Sequence, residues 1–219
     1  MADDECCGVD KEQIHSPGYR RALWIVVILN VGYGIFELFG GFLANSQSLK
    51  ADALDFLGDG SITLLALLAI GWSIVWRARS ALIQGVFLGL LGLWVFASTL
   101  LKTLTDTPVE AGLMGMFAFI ALIVNVIAVL PLLSYREGDA NMRAVWLFSR
   151  NDAIGNVLVI IAAGLVALTS TRWPDLIVAF LIAALFLHSA WNIVRDARRD
   201  LHNAEAGKNS IVSKKTKTE

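Results

Sequence analysis

The feature that most restricts this fold is a set of acidic side chains at the start of a long apolar segment. Asp52, Asp55 and Asp59 open a stretch that continues to about Trp76. Their spacing of i, i+3 and i+7 puts all three on one face of an α-helix. An ionised Asp near the centre of a bilayer costs about 2.5–3.5 kcal/mol on insertion scales. Such residues therefore face a partner, a bound cation or water.

The composition is that of an integral membrane protein. The 219 residues are 56% hydrophobic and only 17% charged, with a mean hydropathy of +0.63, well above ordinary soluble domains. We predict an all-α integral membrane protein with six transmembrane helices, each near the ~20 residues needed to cross a bilayer. The predicted spans are residues 22–44, 50–76, 80–102, 111–134, 144–170 and 174–194.

The distribution of Lys and Arg predicts the orientation of these spans. Of the 18 basic residues, only Lys50, Lys102 and Arg172 fall on the outer side if both termini are cytoplasmic, and Arg150 lies within a span. Cytoplasmic loops are the ones enriched in Lys and Arg. We therefore predict that both ends of the chain are cytoplasmic in a multi-pass protein of the plasma (inner) membrane.

Three segments follow from this organisation. Residues 1–21 form a cytoplasmic N-terminal tail, whose acidic start does not resemble a signal peptide. Residues 22–194 form the six-helix domain. Residues 195–219 form a short basic cytoplasmic tail, which is too short for an independent domain and which we expect to fray. The net charge of −1 gives no indication of nucleic-acid binding.

A second acidic position lies in the fifth predicted span. Asp152 and Asn156 are spaced i, i+4, as are Asp55 and Asp59. At 1.5 Å per residue, Asp59 and Asp152 reach about the same level near the middle of a ~30 Å core from opposite sides. Grouped carboxylates need protons or a cation to relieve their repulsion, and oxygen-rich sites favour divalent ions. We therefore predict a functional cation or proton site at Asp55, Asp59, Asp152 and Asn156.

The alternative to a cation is an internal ion pair. Lys50 lies on the same turn as Asp52, and Arg150 lies close to Asp152 in the sequence. Asp52 itself has two readings, as part of an outer path to the site or as the cap of the helix start. Glu37, deep in the first span, is a candidate proton site or a partner of the metal ligands.

At these residues the chain resembles the cation diffusion facilitator (cation efflux) family of divalent-metal/proton antiporters. The similarity extends over about residues 20–200. It includes Glu37 with the glycines that follow, the Ser48–Ala53 run, the Asp55–Asp59 pair, Asp152 with Asn156, and Trp173-Pro174-Asp175. The resemblance implies export of a divalent metal (Zn, Co, Cd, Mn or Fe class) in exchange for protons. It implies no enzyme activity and no resident cofactor.

The sequence departs from the family pattern in two places. The resemblance implies two ligands from each of the second and fifth helices, and the position four residues before Asp152 is Phe148, where relatives carry His or Asp. Asn156, Asn151, water or a backbone carbonyl would then complete the site, or the site would work with three ligands. The chain also resembles shortened members that lack the C-terminal cytoplasmic domain, so that the expected homodimer would rely on membrane helices.

The same acids also fit two other functions. A proton-coupled carrier of another cation and an intramembrane aspartyl protease both place acids inside a membrane. Cys6, Cys7 and His15 form a weak candidate for metal capture near the cytoplasmic side. Asn125 is predicted to make an interhelical hydrogen bond, and the glycines of the third span, which permit close helix contact, are Gly85, Gly89 and Gly92.

Overall fold

The computed structural model describes residues 17–69, 72–133 and 140–215. Within these ranges the chain forms helices and short connections, with no β-strand, which confirms the all-α prediction. The six helices are α1 (Pro17–Leu43), α2 (Gln47–Leu68), α3 (Ile74–Thr103), α4 (Ala111–Leu133), α5 (Ala140–Thr169) and α6 (Trp173–Lys215).

Five of these helices contain segments long and apolar enough to cross a membrane. The segments are Arg20–Leu43, Val75–Thr103, Ala111–Ala128, Asp152–Thr169 and Trp173–Ala204. Helix α2 does not meet the same test within the described residues, because every 18-residue stretch of it contains three or more of the charged residues Lys50, Asp52, Asp55 and Asp59. The protein is an integral, multi-pass membrane protein, and the count of six spans stays a prediction that depends on α2.

Two helix boundaries differ clearly from the predicted spans. Helix α2 ends at Leu68 rather than near 76, and α3 already begins at Ile74, with Ser73 in an extended conformation at its N-cap. A hydropathy profile does not detect this break, because the residues around it are apolar. Helix α6 continues to Lys215. The expectation of a fraying tail is therefore wrong for residues 195–215. Good helix formers (Ala, Arg, Lys, Leu and Glu) make up just over half of residues 195–215, which allows the helix to continue.

Small residues bring the helices together. Helix α3 packs most extensively on α6, α1 on α2, and α4 on α5. A Cβ atom at Gly85 would lie 2.8 Å from Val194 Cγ2, and one at Gly92 would lie 3.0 Å from Phe186 Cβ. Glycine at these two positions of α3 therefore lets the α6 backbone approach, as predicted from the sequence. Many other large apolar side chains are exposed on the outside of the bundle, where lipid would cover them.

The turn between α1 and α2 is held from the start of α6. Asn45 adopts a left-handed conformation (φ 50°), and the Ser46 hydroxyl accepts a hydrogen bond from Leu49 N as the N-cap of α2. The buried carboxylate of Asp175 accepts hydrogen bonds from Gln47 N and Ser48 N, both at 2.9 Å. It also accepts from the hydroxyls of Ser46 (2.5 Å) and Ser48 (2.7 Å). An acidic side chain at a helix N-terminus satisfies free N–H groups and the helix dipole together. This cap fixes the start of the helix that carries the acids.

Candidate metal centre

Three acidic side chains from α2 and α5 converge inside the bundle. Asp55, Asp59 and Asp152 each offer a carboxylate oxygen, and these oxygens lie within 4.8 Å of one another. The carboxyl groups of Asp59 and Asp152 are within hydrogen-bonding reach. All three residues are half-buried. The structure thus brings together three of the four residues predicted to bind metal.

This arrangement has the chemistry of a cation site. Three carboxylates so close to one another repel strongly in a medium of low dielectric constant, and the repulsion falls when a cation or protons are added. Oxygen ligands suit hard and borderline divalent ions. Because two ligands come from one helix and one from another, a relative movement of α2 and α5 would change the site.

The fourth predicted residue, Asn156, is fully buried and hydrogen bonds through both ends of its carboxamide. Its Nδ2 donates to Asp52 Oδ2 at 2.7 Å, and its Oδ1 accepts from Asn125 Nδ2 at 2.8 Å. Direct coordination would have to use the remaining lone pair of that oxygen. Asn156 therefore links α2, α4 and α5 one turn from the cluster. The Asn125 bond confirms the predicted interhelical hydrogen bond.

Asp52 and Glu37 form a second acidic pair beside this network. Asp52 is 3% exposed and Glu37 is fully buried, and their carboxyl groups lie within hydrogen-bonding reach of each other. Asp52 is not the cap of α2, because Ser46 occupies that position. That alternative reading of Asp52 is wrong: it lies in the second turn and faces α1 and α5.

The ion-pair alternative finds no support from Lys50. Its ammonium group lies 4.5 Å from the centroid of the Phe42 ring, a cation–π contact, rather than beside Asp52. In the described parts of the chain the salt bridges are Arg172–Asp106 and Arg195–Asp196, neither of which involves the three clustered aspartates. The structure does not describe the side chains of Arg150, Asn151 and Phe148. The candidate residues Cys6, Cys7 and His15 also lie outside the described residues.

The role of Asp175 was missed by the sequence reasoning. The residue was noted only as part of a family pattern, and the structure makes it the common acceptor for the start of α2. The signal was local: Ser46-Gln47-Ser48 before an apolar helix is typical of an N-terminal cap. What the sequence does not reveal is that the acceptor comes from more than a hundred residues away.

Comparison with known proteins gives a clear family match. The cation efflux transmembrane domain matches residues 23–202. The chain is 30% identical to the zinc transporter ZitB of Escherichia coli (strain K12), over 83% of this chain and 62% of the relative. It is 28% identical to the cadmium, cobalt and zinc/H(+)-K(+) antiporter of Bacillus subtilis (strain 168), over 81% and 62%.

A third relative is the metal cation efflux system protein CzcD of Cupriavidus metallidurans, with 26% identity over 87% of this chain and 64% of the relative. The chain thus spans just over three fifths of the length of these relatives. The match lies with membrane transport proteins and not with enzymes, which removes support for an intramembrane aspartyl protease. The domain match covers most of the chain and agrees with the resemblance found in the sequence. We conclude that the chain belongs to the cation efflux family.

Proposed function

We propose that the protein exports a divalent metal ion from the cytoplasm in exchange for protons, with Asp55, Asp59 and Asp152 as the transport site. The observation that carries the proposal is the convergence of three carboxylate oxygens within 4.8 Å on two helices of a membrane bundle. The names of two relatives, a zinc transporter and a cadmium, cobalt and zinc antiporter, support metal transport by this chain as well.

The proposed ligand set is three carboxylates with water in the remaining positions. We assign Asn156 an orienting role, because both ends of its carboxamide are engaged by Asp52 and Asn125. The absence of a His or Cys in this set weakens the preference for zinc over cobalt, cadmium, manganese or iron. The order of preference among these metals is part of the test.

The exchange follows from the charge of the site. Metal binds from the cytoplasm as the carboxylates lose protons, since ligands must be deprotonated to coordinate. The helices then rock so that the same site opens outwards, as in other midplane carriers. Protons from the outer side neutralise the carboxylates and release the metal. The proposal also includes six spans, cytoplasmic termini and a homodimer. Labelling of single-cysteine variants would test the spans and the termini, and mass measurement in lipid would test the dimer.

The decisive experiment measures metal uptake into proteoliposomes with an imposed pH gradient. The wild type should transport Zn²⁺, Co²⁺ or Cd²⁺, and Asp59→Asn and Asp152→Asn should lose that flux. Asp200→Asn is the matched control, because this carboxylate is exposed on α6 and takes part in neither of the two salt bridges. Equal flux in the wild type and in Asp59→Asn would contradict the proposed site, and flux without proton movement would contradict the exchange.

A further inference from the structure

Glu37 is a buried acid that the three-aspartate cluster does not account for. It is fully buried in α1. Neither carboxyl oxygen has a conventional hydrogen-bond donor among the described residues. The group within hydrogen-bonding reach is the carboxyl of Asp52, whose Oδ2 already accepts from Asn156. A buried polar atom without a donor is costly, so this arrangement needs an additional participant.

Among the described side chains, none that acts on Glu37 carries a positive charge. Asp52 and Asp55 face it from α2, and both are acids. On its own helix, Tyr33 lies one turn earlier and donates its hydroxyl to Phe117 O of α4 at 2.5 Å, so that proton is already used. Helix α4 contributes no ionisable side chain over Ala111–Leu133. Lys50, the nearest basic residue in the sequence, contacts Phe42 instead.

A proton resolves this arrangement. Ionised carboxylates only accept hydrogen bonds, whereas a protonated carboxyl group donates one. We propose that Glu37 carries a proton and donates it to Asp52, and that this proton is one of those exchanged for metal. Asp52 is the acceptor and Asn156 holds it in place. The pair is thus a proton site distinct from the three metal-binding aspartates.

The location of the pair explains how it senses the metal. Asp52 lies one helical turn before Asp55, and Asn156 lies one turn after Asp152. A divalent ion at the cluster favours the ionised form of nearby acids, so its arrival expels the Glu37 proton to water. When the ion leaves on the outer side, the carboxyl takes up a proton again. This inference rests on the proposed function, in which the cluster binds the metal.

The test counts protons released when metal binds. Purified protein in detergent is titrated with Zn²⁺ by calorimetry in buffers that differ in ionisation enthalpy, and the pH dependence of Kd is recorded. Glu37→Gln keeps the shape of the side chain and a donor for Asp52. Its proton release should fall by about one per Zn²⁺ relative to the wild type, with binding retained at high pH. Glu110→Gln, an exposed glutamate at the end of the α3–α4 connection, should match the wild type.

The outcomes separate this inference from the proposed function. An unchanged proton count in Glu37→Gln overturns the inference while leaving the metal site intact. Loss of Zn²⁺ binding at high pH in Glu37→Gln, as expected for Asp59→Asn, overturns it too, because Glu37 would then be a metal ligand. Failure of the wild type to bind Zn²⁺, or Zn²⁺ binding unaffected by Asp59→Asn, would instead refute the metal site.

A measurement on the wild type covers the case in which Glu37→Gln does not fold. Infrared difference spectra are recorded with and without Zn²⁺ on protein whose glutamates carry ¹³C in the side-chain carboxyl. A protonated-carboxyl C=O band that is lost when Zn²⁺ binds, and that shifts with the glutamate label, supports the inference. No such glutamate band in metal-free protein refutes it. Of the two glutamates whose side chains are described, Glu37 is buried and Glu110 is exposed.

Discussion

Replacing Asp175 should destabilise the protein although the residue is far along the chain from the acids of α2. The Asp175 carboxylate accepts four hydrogen bonds, from Ser46 Oγ, Gln47 N, Ser48 N and Ser48 Oγ. Bonds to a charged acceptor contribute about 1.5–3 kcal/mol each, and a buried donor left unpaired costs about 1–3 kcal/mol. In Asp175→Asn, an amide faces Gln47 N in place of an oxygen, and the other bonds lose the help of the charge.

The expected loss in Asp175→Asn is about 3 kcal/mol, and Asp175→Ala should lose about 4–5 kcal/mol because every acceptor is removed. For a chain of this length, 3 kcal/mol corresponds to a fall in Tm of about 10 °C. Thermal unfolding of purified protein in detergent measures it, with Asp200→Asn as the exposed control. A Tm for Asp175→Asn within about 1 °C of the wild type would refute the reasoning. Metal flux should fall in parallel, because the cap positions the helix that carries Asp55 and Asp59.

Two further predictions address the ligand set and the packing. Phe148→His should tighten Zn²⁺ binding by about tenfold or more, because it adds an imidazole one turn before Asp152 on the same helix. Calorimetry measures the affinity, and an unchanged Kd would mean that position 148 does not reach the cluster. Gly85→Ala should cost about 1–3 kcal/mol, because the new Cβ would lie 2.8 Å from Val194 Cγ2. Gly164→Ala, which would contact nothing within 4 Å, is its control, and equal Tm values for the two variants would contradict this packing argument.

The acids could be found from the sequence because a charge in an apolar segment is conspicuous. Their helical spacing gave the common face of Asp55 and Asp59, and the depth argument brought Asp152 to the same level from the opposite side. Both rest on the fixed geometry of an α-helix, which any sequence can be measured against. The convergence of the three carboxylates was therefore predictable, as was the close approach at Gly85.

The break between α2 and α3 was not predictable in the same way. Hydropathy measures how apolar a segment is and not where its backbone turns, so residues 62–76 read as one continuous run. The continuation of α6 to Lys215 was also missed, because a polar segment carries little signal to distinguish a helix from an irregular tail.

The sequence by itself determined that the chain is helical, lies in a membrane and carries carboxylate side chains on two facing helices. Only the tertiary structure decided which polar groups meet. Asp175 caps α2 from a distant helix, Asn156 bonds to Asp52 and Asn125, and Glu37 is left facing Asp52. The physical reason is that helical periodicity fixes which residues share a face, whereas the rotation and offset between helices follow from packing. These long-range partners depend on that packing.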